Sequence, residues 1–291
     1  MRINNWLLLS AITLISCVSC KKEKIAVAGS GWQEIAIVDK ASGTIEWTHP
    51  LDSGEECNNV EVTPEGNILY AYSKGARLID RNHATVWDYK ADENEEIHSV
   101  SRLKDGGFLI GVCGTPARIV ELDDKGVQTK EIKFSTLIFT VHNQFRNIVK
   151  TDSGHYLVPL LDKHKIIRVT PEGQLKNLVF VATEAHAVLL LDTGNLLVSC
   201  GSGGVIKEIN PKNTHFEKFI ITQELKGASL LYVAEIFQYP NGNRLIANSN
   251  MYSEDKSQPL LLEIDPNKEV VWTLPFNKRI TNITAVFAFK E

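Results

Sequence analysis

Four side chains suited to binding an anion or a small polar molecule recur at one position of the sequence. Each lies eight residues before a turn glycine, and we call this the ring position: Asn58, His98, Arg146 and His186. The next two equivalents are Ala234 and, by alignment, Thr284. An arginine flanked by two histidines offers fixed hydrogen-bond donors, whereas a repeated position that only filled a core would be apolar. If the fold brings these side chains to one level, they form a candidate ligand site.

Polar residues also follow the ring position. Asn59, Asn147 and Glu235 lie one residue further along and could join the same site. Strand alternation predicts that Val100 points the same way as His98, with Ser99 pointing into the blade. A polar lining that is merely solvated is the competing interpretation, and the sequence leaves both open. The remaining histidines are expected on turns or strand edges, most of them at the surface: His49, His83, His142, His155, His164 and His215.

The element that must position these residues is a turn followed by a strand, written five times. The copies read "EGNILYA", "DGGFLIG", "SGHYLVP", "TGNLLVS" and "NGNRLIA". Their glycines are 40 or 48 residues apart: Gly66, Gly106, Gly154, Gly194 and Gly242. That period is typical of propeller blades and of helical repeats. The flanking residues alternate or run apolar and β-branched, without the stripe of paired helices, so the repeat is built of strands.

Each repeat contains four short strands. In the unit of Gly194 they are predicted at 186–191, 195–200, 205–209 and 215–221. The connecting turns are rich in Asp, Asn, Pro and Gly, which tolerate the tight geometry that joins antiparallel strands. Four antiparallel strands repeated around an axis form a β-propeller blade.

The two chain ends complete a sixth blade. Segments 25–28, 34–38 and 44–47 supply its second to fourth strands, and 283–289 supplies its first. Pairing the terminal strands removes the exposed edges of an open ring. The sequence therefore predicts an all-β, six-bladed propeller over residues 21–291, with the C-terminal strand joining the N-terminal blade.

A second motif ends three of the units. "VDKASGTIEW", "IDRNHATVW" and "IDPNKEVVW" share an aspartate, a turn, apolar residues and a tryptophan, at Trp47, Trp87 and Trp272. The motif resembles the repeats of quinoprotein-like (PQQ-like) propellers and of bacterial aryl sulfotransferases, over nearly the whole mature chain. The resemblance implies architecture rather than chemistry, with each tryptophan wedged between adjacent blades.

The resemblance does not imply that this protein binds a cofactor. A quinone-dependent dehydrogenase would need calcium-binding carboxylates in the channel and usually a vicinal cysteine pair, so we expect no cofactor and no metal. An aryl sulfotransferase uses channel histidines with Arg and Asn, residue types that the ring position supplies, but this chain is much shorter and lacks the additional N-terminal domain. The sequence has no GxSxG, HExxH or phosphate-loop motif. We assign no catalytic residue.

Net charge and cysteine content limit the classes of partner and of covalent cross-link that we expect. A formal charge of −4 with scattered Lys and Arg argues against nucleic acid, which would call for a basic face. Of the cysteines beyond residue 20, Cys113 and Cys200 lie in apolar strand patterns and are predicted as core residues, and with Cys57 their number is odd. The fold is therefore expected not to depend on disulfides. We also expect the protein to be a monomer.

Residues 1–20 have the pattern of an export signal. An apolar run at 6–15 follows Arg2 and is too short to cross a bilayer. The segment "LISC" resembles a bacterial lipobox, with an apolar residue three positions before Cys17 and a small one directly before it. Cys20 is a weaker alternative, and an ordinary secretory signal is another. We expect a protein anchored by lipid at Cys17 in the bacterial cell envelope, periplasmic or at the cell surface.

The function expected from these patterns is binding. We predict a non-catalytic module with a small-molecule or glycan ligand at the channel mouth, or with a protein partner on one propeller face. The membrane contact would be through the lipid anchor only. The alternative is a propeller enzyme, sulfotransferase-like or a lyase or hydrolase, acting on a small anionic or glycan-type substrate with the channel His and Arg residues.

The choice of cysteine can be tested by labelling cells with a fatty acid analogue. Replacing Cys17 with Ser should abolish incorporation into the protein, because the acylated thiol is gone. The matched control is Cys20→Ser, which should label normally. The opposite pattern would make Cys20 the modified residue, and labelling of both variants would refute the lipoprotein interpretation.

Overall fold

The computed structural model describes residues 21–221, 225–253 and 255–291, and it confirms the predicted six-bladed propeller. The strands form six four-stranded antiparallel sheets. The predicted signal segment, with Cys17 and Cys20, lies outside the described residues. Within the described ranges, no helix combines the length and the apolar character needed to cross a bilayer.

In each of the first three blades the strands are given in order from the innermost, beside the central channel, to the outermost. Blade 1 contains β24 (Ile283–Lys290), β1 (Glu23–Gly29), β2 (Glu34–Asp39) and β3 (Ile45–Pro50). Blade 2 contains β4 (Cys57–Val62), β5 (Ile68–Tyr72), β6 (Gly75–Ile79) and β7 (Thr85–Lys90). Blade 3 contains β8 (Glu96–Arg102), β9 (Phe108–Cys113), β10 (Ala117–Leu122) and β11 (Gln128–Phe134).

The other three blades follow the same order. Blade 4 contains β12 (Val149–Lys150), β13 (Tyr156–Leu160), β14 (Lys165–Val169) and β15 (Leu175–Phe180). Blade 5 contains β16 (Ala187–Leu190), β17 (Leu196–Ser199), β18 (Val205–Asn210) and β19 (Asn213–Ile221). Blade 6 contains β20 (Tyr232–Gln238), β21 (Arg244–Ser249), β22 (Leu261–Ile264) and β23 (Val270–Leu274). Two 3₁₀ turns, Val141–Asn143 and Leu161–Lys163, flank the inner part of blade 4.

The ring closes as the sequence predicts. Strand β24 pairs antiparallel with β1 from Glu23 opposite Lys290 to Val27 opposite Val286. The backbone of Lys22 bonds that of Glu291 in both directions, at 2.8 and 3.0 Å. The apolar side chains of β24 are buried in the layers on either side of blade 1. Both chain ends are therefore fixed in one sheet.

The tryptophans of the repeated motif lie between blades. The Trp47 indole N–H donates to the carbonyl of Arg81 in blade 2, and the Trp272 N–H donates to that of Lys40 in blade 1, both at 3.0 Å. Trp87 packs in the same way against the turn of blade 3 at Gly126, which has a φ of +81° and no room for a Cβ beside the indole. These contacts explain why Asp-turn-Trp units recur in the sequence.

The inner strands depart from simple alternation at the ring position. The pairing register shifts between Cys57 and Asn59 and between Ile97 and Ser99, which marks a bulge at each ring residue. As a result Ser99 reaches the next blade, where its hydroxyl accepts from the N–H of Ile148 at 2.9 Å. Val100 packs in the apolar layer between blades 2 and 3. Strict alternation therefore does not apply at the ring position, although Val100 also lines the central cavity.

Closure can be tested by deleting residues 283–291, the whole of β24. The deletion removes several fully buried side chains and the inner edge of blade 1, so we expect a loss of about 5 kcal/mol or more of unfolding free energy. That loss lowers Tm by about 10 °C or more, measured by thermal unfolding. Deletion of Lys290 and Glu291 alone is the control and should cost far less. An unchanged melting curve for the long deletion would contradict closure.

Candidate functional site

The four predicted ring residues lie at the same end of the channel, in four consecutive blades. Asn58 is on β4 and His98 on β8, but Arg146 precedes β12 and His186 precedes β16, so only two of them are on inner strands. All four side chains are buried, with at most 5% of each residue exposed. The structure thus brings the polar groups together beneath the surface, rather than on a wide solvated wall.

Asn58 links the first two blades to His98. Its Nδ2 lies 3.3 Å from Nδ1 of His98, and its Oδ1 accepts from the Thr284 hydroxyl at 2.9 Å. Thr284 also occupies the ring position, as the alignment predicts. Asn58 therefore orients the His98 ring through Nδ1.

Glu96 is the centre of a network that the sequence analysis did not identify. Its Oε2 accepts from Nε2 of His98 at 2.7 Å and from Nδ1 of His142 at 2.8 Å. These bonds place the imidazole hydrogens on the nitrogens that face Glu96, so Nδ1 of His98 accepts from Asn58. Hydrogen bonds from His142 and His98 hold the pKa of Glu96 well below its ordinary value.

Arg146 carries a buried charge whose described hydrogen bonds go to neutral acceptors. Its guanidinium donates to the carbonyls of His142 and Phe145, at 2.6 and 3.2 Å, and to Nε2 of His142 at 3.1 Å. The Nε–H of Arg146 has no partner within the described part of the chain. A buried guanidinium with a free donor is an anchor for an anion.

His186 has a free nitrogen at the same end. Its ring bonds the carbonyl of Ala234, and its Nδ1 has no partner among the described residues. Tyr232 meets the ring edge-to-face at 5.6 Å, and Tyr232 in turn contacts Tyr252, which is largely exposed. Burial, with the nearby Arg146 charge, lowers the pKa of His186 to about 3. His186 is therefore neutral at physiological pH.

Two carboxylates and one histidine form the outer layer of the site. The side chains of Glu56 and Glu96 are 26% exposed, and that of His142 is 43% exposed. Burial opposes ionisation of Glu56, but a hydrogen bond from Ser30 and the Arg146 charge leave its pKa below the ordinary value. Burial and Arg146 lower the pKa of His98 to about 4. The site therefore combines two anions, one buried cation and two neutral imidazoles.

His142 was expected at the surface among the turn histidines, and it is instead part of the site. The segment 135–148 that carries it is longer than the equivalent connections 51–56 and 91–95, and it contains the 3₁₀ turn. The sequence signal was the step of 48 rather than 40 residues between the turn glycines of blades 3 and 4. His49 is also buried, and its ring centroid lies 6.1 Å from that of Trp47 and 5.3 Å from that of His83.

Glu96, His98 and His142 could hold a divalent cation. Their ligand atoms lie within 4.8 Å of one another. One carboxylate and two imidazoles suit zinc and related transition metals. Sequence analysis predicted no metal site because Glu96 and His142 lie in different blades and show no zinc-binding spacing.

Two of the residues that follow the ring position, Asn147 and Glu235, bond each other across the channel. Asn147 of blade 4 donates to Glu235 of blade 6 at 2.9 Å, across the front of blade 5. A cavity of about 890 Å³ lies beyond this bridge, and Asn59, Asn147 and Glu235 line it. The ring residues do not line that cavity. The second set of polar residues therefore does not join the Arg146 end.

The comparisons with known proteins agree with this architecture. The family of Mal s 1 allergenic protein-like proteins matches residues 30–258. A Bacteroides caccae protein of unknown function, known from its crystal structure, is 34% identical, with a TM-score of 0.89, covering 93% of this chain and 100% of its own. No curated protein sequence matches. The resemblance to quinoprotein-like and sulfotransferase repeats thus holds for the propeller architecture, while the matched family is a different one.

Two further structures are similar at low identity. A chain of a nidogen/laminin complex has a TM-score of 0.65 at 11% identity, covering 91% of this chain and 98% of its own. Virginiamycin B lyase from Staphylococcus aureus, solved with quinupristin, has a TM-score of 0.60 at 10% identity, covering 94% of each chain. Likeness at this level concerns the fold alone.

The neutral state of His186 has a measurable consequence. In the unfolded chain a histidine titrates near 6.5, so below that pH the unfolded state binds a proton that the folded state does not. Stability should therefore fall by about 1.4 kcal/mol per pH unit between about 6.5 and the folded pKa. His186→Gln should remove this contribution, seen as a flatter dependence of Tm on pH.

Arg146→Gln provides the matched comparison in an NMR titration of the imidazole. The variant should raise the His186 midpoint by removing the nearby charge, yet leave it below 6.5, because burial is the larger cause. A wild-type midpoint near 6.5 would show that the ring is solvated and would contradict this account.

Proposed function

This chain belongs to the family of Mal s 1 allergenic protein-like proteins, and we propose that it is a non-catalytic binding propeller that holds a small hydroxylated anion at the Arg146 end of its channel. The observation that carries the proposal is the Arg146 guanidinium. It is buried, its described bonds go to neutral groups, and its Nε–H is unpartnered. Glu56 and Glu96 lie nearby, but neither bonds the guanidinium among the described residues, and an unpartnered buried N–H is costly, so this donor suits an anionic oxygen of a ligand.

The chemistry of the ligand follows from the two free nitrogens. Arg146 offers a charged donor, which suits a carboxylate or a sulfate. Neutral His186 offers an acceptor at Nδ1, which suits a hydroxyl group. A ligand with an anionic group beside hydroxyls satisfies both, as a sugar acid or a sugar sulfate does. A simple inorganic anion would leave His186 unsatisfied.

Access to these groups is through the outer layer. His142 is the most exposed of the residues around Arg146, and it covers the guanidinium through its Nε2 contact. The incoming anion would replace that contact and leave His142 bonded to Glu96. The carboxylates Glu56 and Glu96 would repel a second negative charge, which favours ligands with a single anionic group.

The orientation of the protein would suit an outward-facing site. Thr284, near the start of β24, bonds Asn58 at the Arg146 end, whereas Glu23 pairs with Lys290 at the opposite end of the same strand. The chain therefore enters the propeller on the face away from Arg146. A tether of three to six residues from a lipid at Cys20 or Cys17 would reach at most about 10–20 Å. Such an anchor would turn the Arg146 mouth away from the membrane of the cell envelope.

A second candidate function is catalysis at the same mouth. It is favoured by the Glu96, His98 and His142 cluster, which could hold a divalent cation beside Arg146. A bound cation would polarise an oxygen of an anionic or glycan-type substrate. Similar propellers include a virginiamycin B lyase, which shows that this fold can carry an enzyme, although the likeness is one of fold.

Calorimetry with three small probes tests the binding proposal. Glucuronate carries an anionic group and hydroxyls, glucose only the hydroxyls, and sulfate only the charge. We expect glucuronate to bind more tightly than either. Arg146→Gln should weaken glucuronate binding about 10- to 100-fold, the range for a lost charged hydrogen bond.

Arg102→Gln is the matched control, because Arg102 lines the cavity at the other end of the channel. It should leave the glucuronate affinity unchanged. Equal affinities for glucuronate and glucose, or an unchanged affinity in Arg146→Gln, would refute the anion site. If glucuronate binds only with added Zn²⁺ and is chemically altered, the enzyme candidate replaces the binding one.

A further inference from the structure

The cavity at the end of the channel opposite Arg146 has the size of a small-molecule site. It encloses about 890 Å³, and the inner strands of all six blades contribute to its wall. Pockets that hold small ligands are typically of about 300–1,000 Å³. None of the four ring residues Asn58, His98, Arg146 and His186 lines it. What it binds is therefore independent of the function proposed above.

Two carboxyl groups line this cavity. Glu235 is buried and accepts from Asn147 Nδ2 at 2.9 Å and from the N–H of Val286 at 2.7 Å. Glu61 accepts from the N–H of Arg102 at 3.1 Å. Every described bond to these carboxyls comes from a neutral amide, and neither forms an ion pair among the described residues. Glu235 is buried and Glu61 is half-buried, and neither carboxyl has a direct ionic partner among the described residues, so both can pair with a cationic ligand.

Two phenylalanine rings line the same cavity. Phe237 follows Glu235 on β20, and Phe287 follows Val286 on β24. The two rings meet edge-to-face, 5.2 Å between centroids, and both line the cavity. Aromatic rings attract cations over their faces and pack well against apolar groups.

The charged residues at the cavity rim do not form ion pairs with Glu61 or Glu235 among the described residues. The rim carries Arg102, Lys104, Lys150, Asp105, Asp152 and Asp192. Lys104 pairs with Asp152, and Lys150 pairs with Glu121 at 2.6 Å. The Arg102 guanidinium lies over the Phe108 ring at 4.8 Å, although its charge is felt by Glu61. The two rim lysines are thus paired with other carboxylates, and Arg102 acts on Glu61 without a direct ion pair, so the interior keeps an excess of carboxyl groups.

We propose that this cavity binds an organic ammonium, a primary amine carried on an apolar body. The ammonium group lies at Glu61 and Glu235, where it donates hydrogen bonds to the carboxylate oxygens. The apolar body packs against Phe237 and Phe287. An anionic ligand would oppose ionisation of these carboxyl groups, and a neutral alcohol would gain no ion pair from them.

Binding is coupled to a proton. Burial raises the pKa of Glu235 to about 8, and burial also raises the pKa of Glu61. In the empty cavity Glu235 therefore carries a proton at neutral pH. An ammonium ion favours the ionised carboxylate, so the proton leaves to solvent as the amine binds. Affinity should rise about tenfold per pH unit up to about pH 8, until the amine itself begins to lose its charge.

Calorimetry with hexylamine, hexanol and hexanoate on the whole propeller tests the proposal. We expect hexylammonium to bind at pH 7.5 and the other two to bind at least tenfold more weakly. Repeating the titration in two buffers of different ionisation enthalpy should show about one proton released per amine bound. Equal binding of hexanol, or no binding of hexylamine, would overturn the proposal.

Variants identify the site. Glu235→Gln keeps the shape and the hydrogen bond from the N–H of Val286, and the Asn147 amide can rotate to accept from the new NH2 group. It should weaken hexylammonium binding at least tenfold and abolish the proton release. Glu93→Gln is the matched control, since it removes one exposed carboxylate from the loop 91–95. Thermal unfolding establishes that both variants fold. Wild-type affinity in Glu235→Gln, or an equal loss in Glu93→Gln, would refute the assignment.

Discussion

The free inner edge of each blade is the constraint on which the channel depends. An inner strand pairs on its outer side only, so its other edge presents backbone groups that must find partners. Side chains of the preceding blade supply them. The N–H of Val100 bonds Oδ1 of Asn59 at 2.9 Å, that of Ile148 bonds Ser99, and that of Val286 bonds Glu235. The polar residues that follow the ring position thus hold neighbouring blades together around the axis.

This constraint explains why the channel lining was only half predictable. The sequence shows that polar residues recur at and after the ring position, but two physical causes produce the same pattern. Asn59 and Ser99 satisfy backbone groups of the next blade, whereas Arg146 and His186 keep unpartnered nitrogens. A bulge decides which direction each side chain takes, and a regular strand pattern carries no sign of it.

The architecture was more accessible than the site because it depends on local patterns. Spaced turn glycines, the Asp-turn-Trp motif and two complementary ends predict six blades and their closure without any long-range geometry. The cluster around Glu96 depends instead on a contact between blades, and His142 reaches it from the longer connection 135–148. Residues 46 apart in sequence meet there, and no periodic signal relates them.

The same strands give the two ends of the channel opposite chemical character. At one end Arg146 provides a positive charge that helps to keep His98 and His186 neutral, because a protonated imidazole would be both buried and repelled. At the other end Glu61 and Glu235 line the same cavity, so burial of Glu235 and repulsion from Glu61 favour the protonated form of Glu235. The hydrogen bond between Asn147 and Glu235 lies between these two sets of residues. The protonation states at each end therefore depend on the buried ionisable residues of that end, while the blades hold both sets in place.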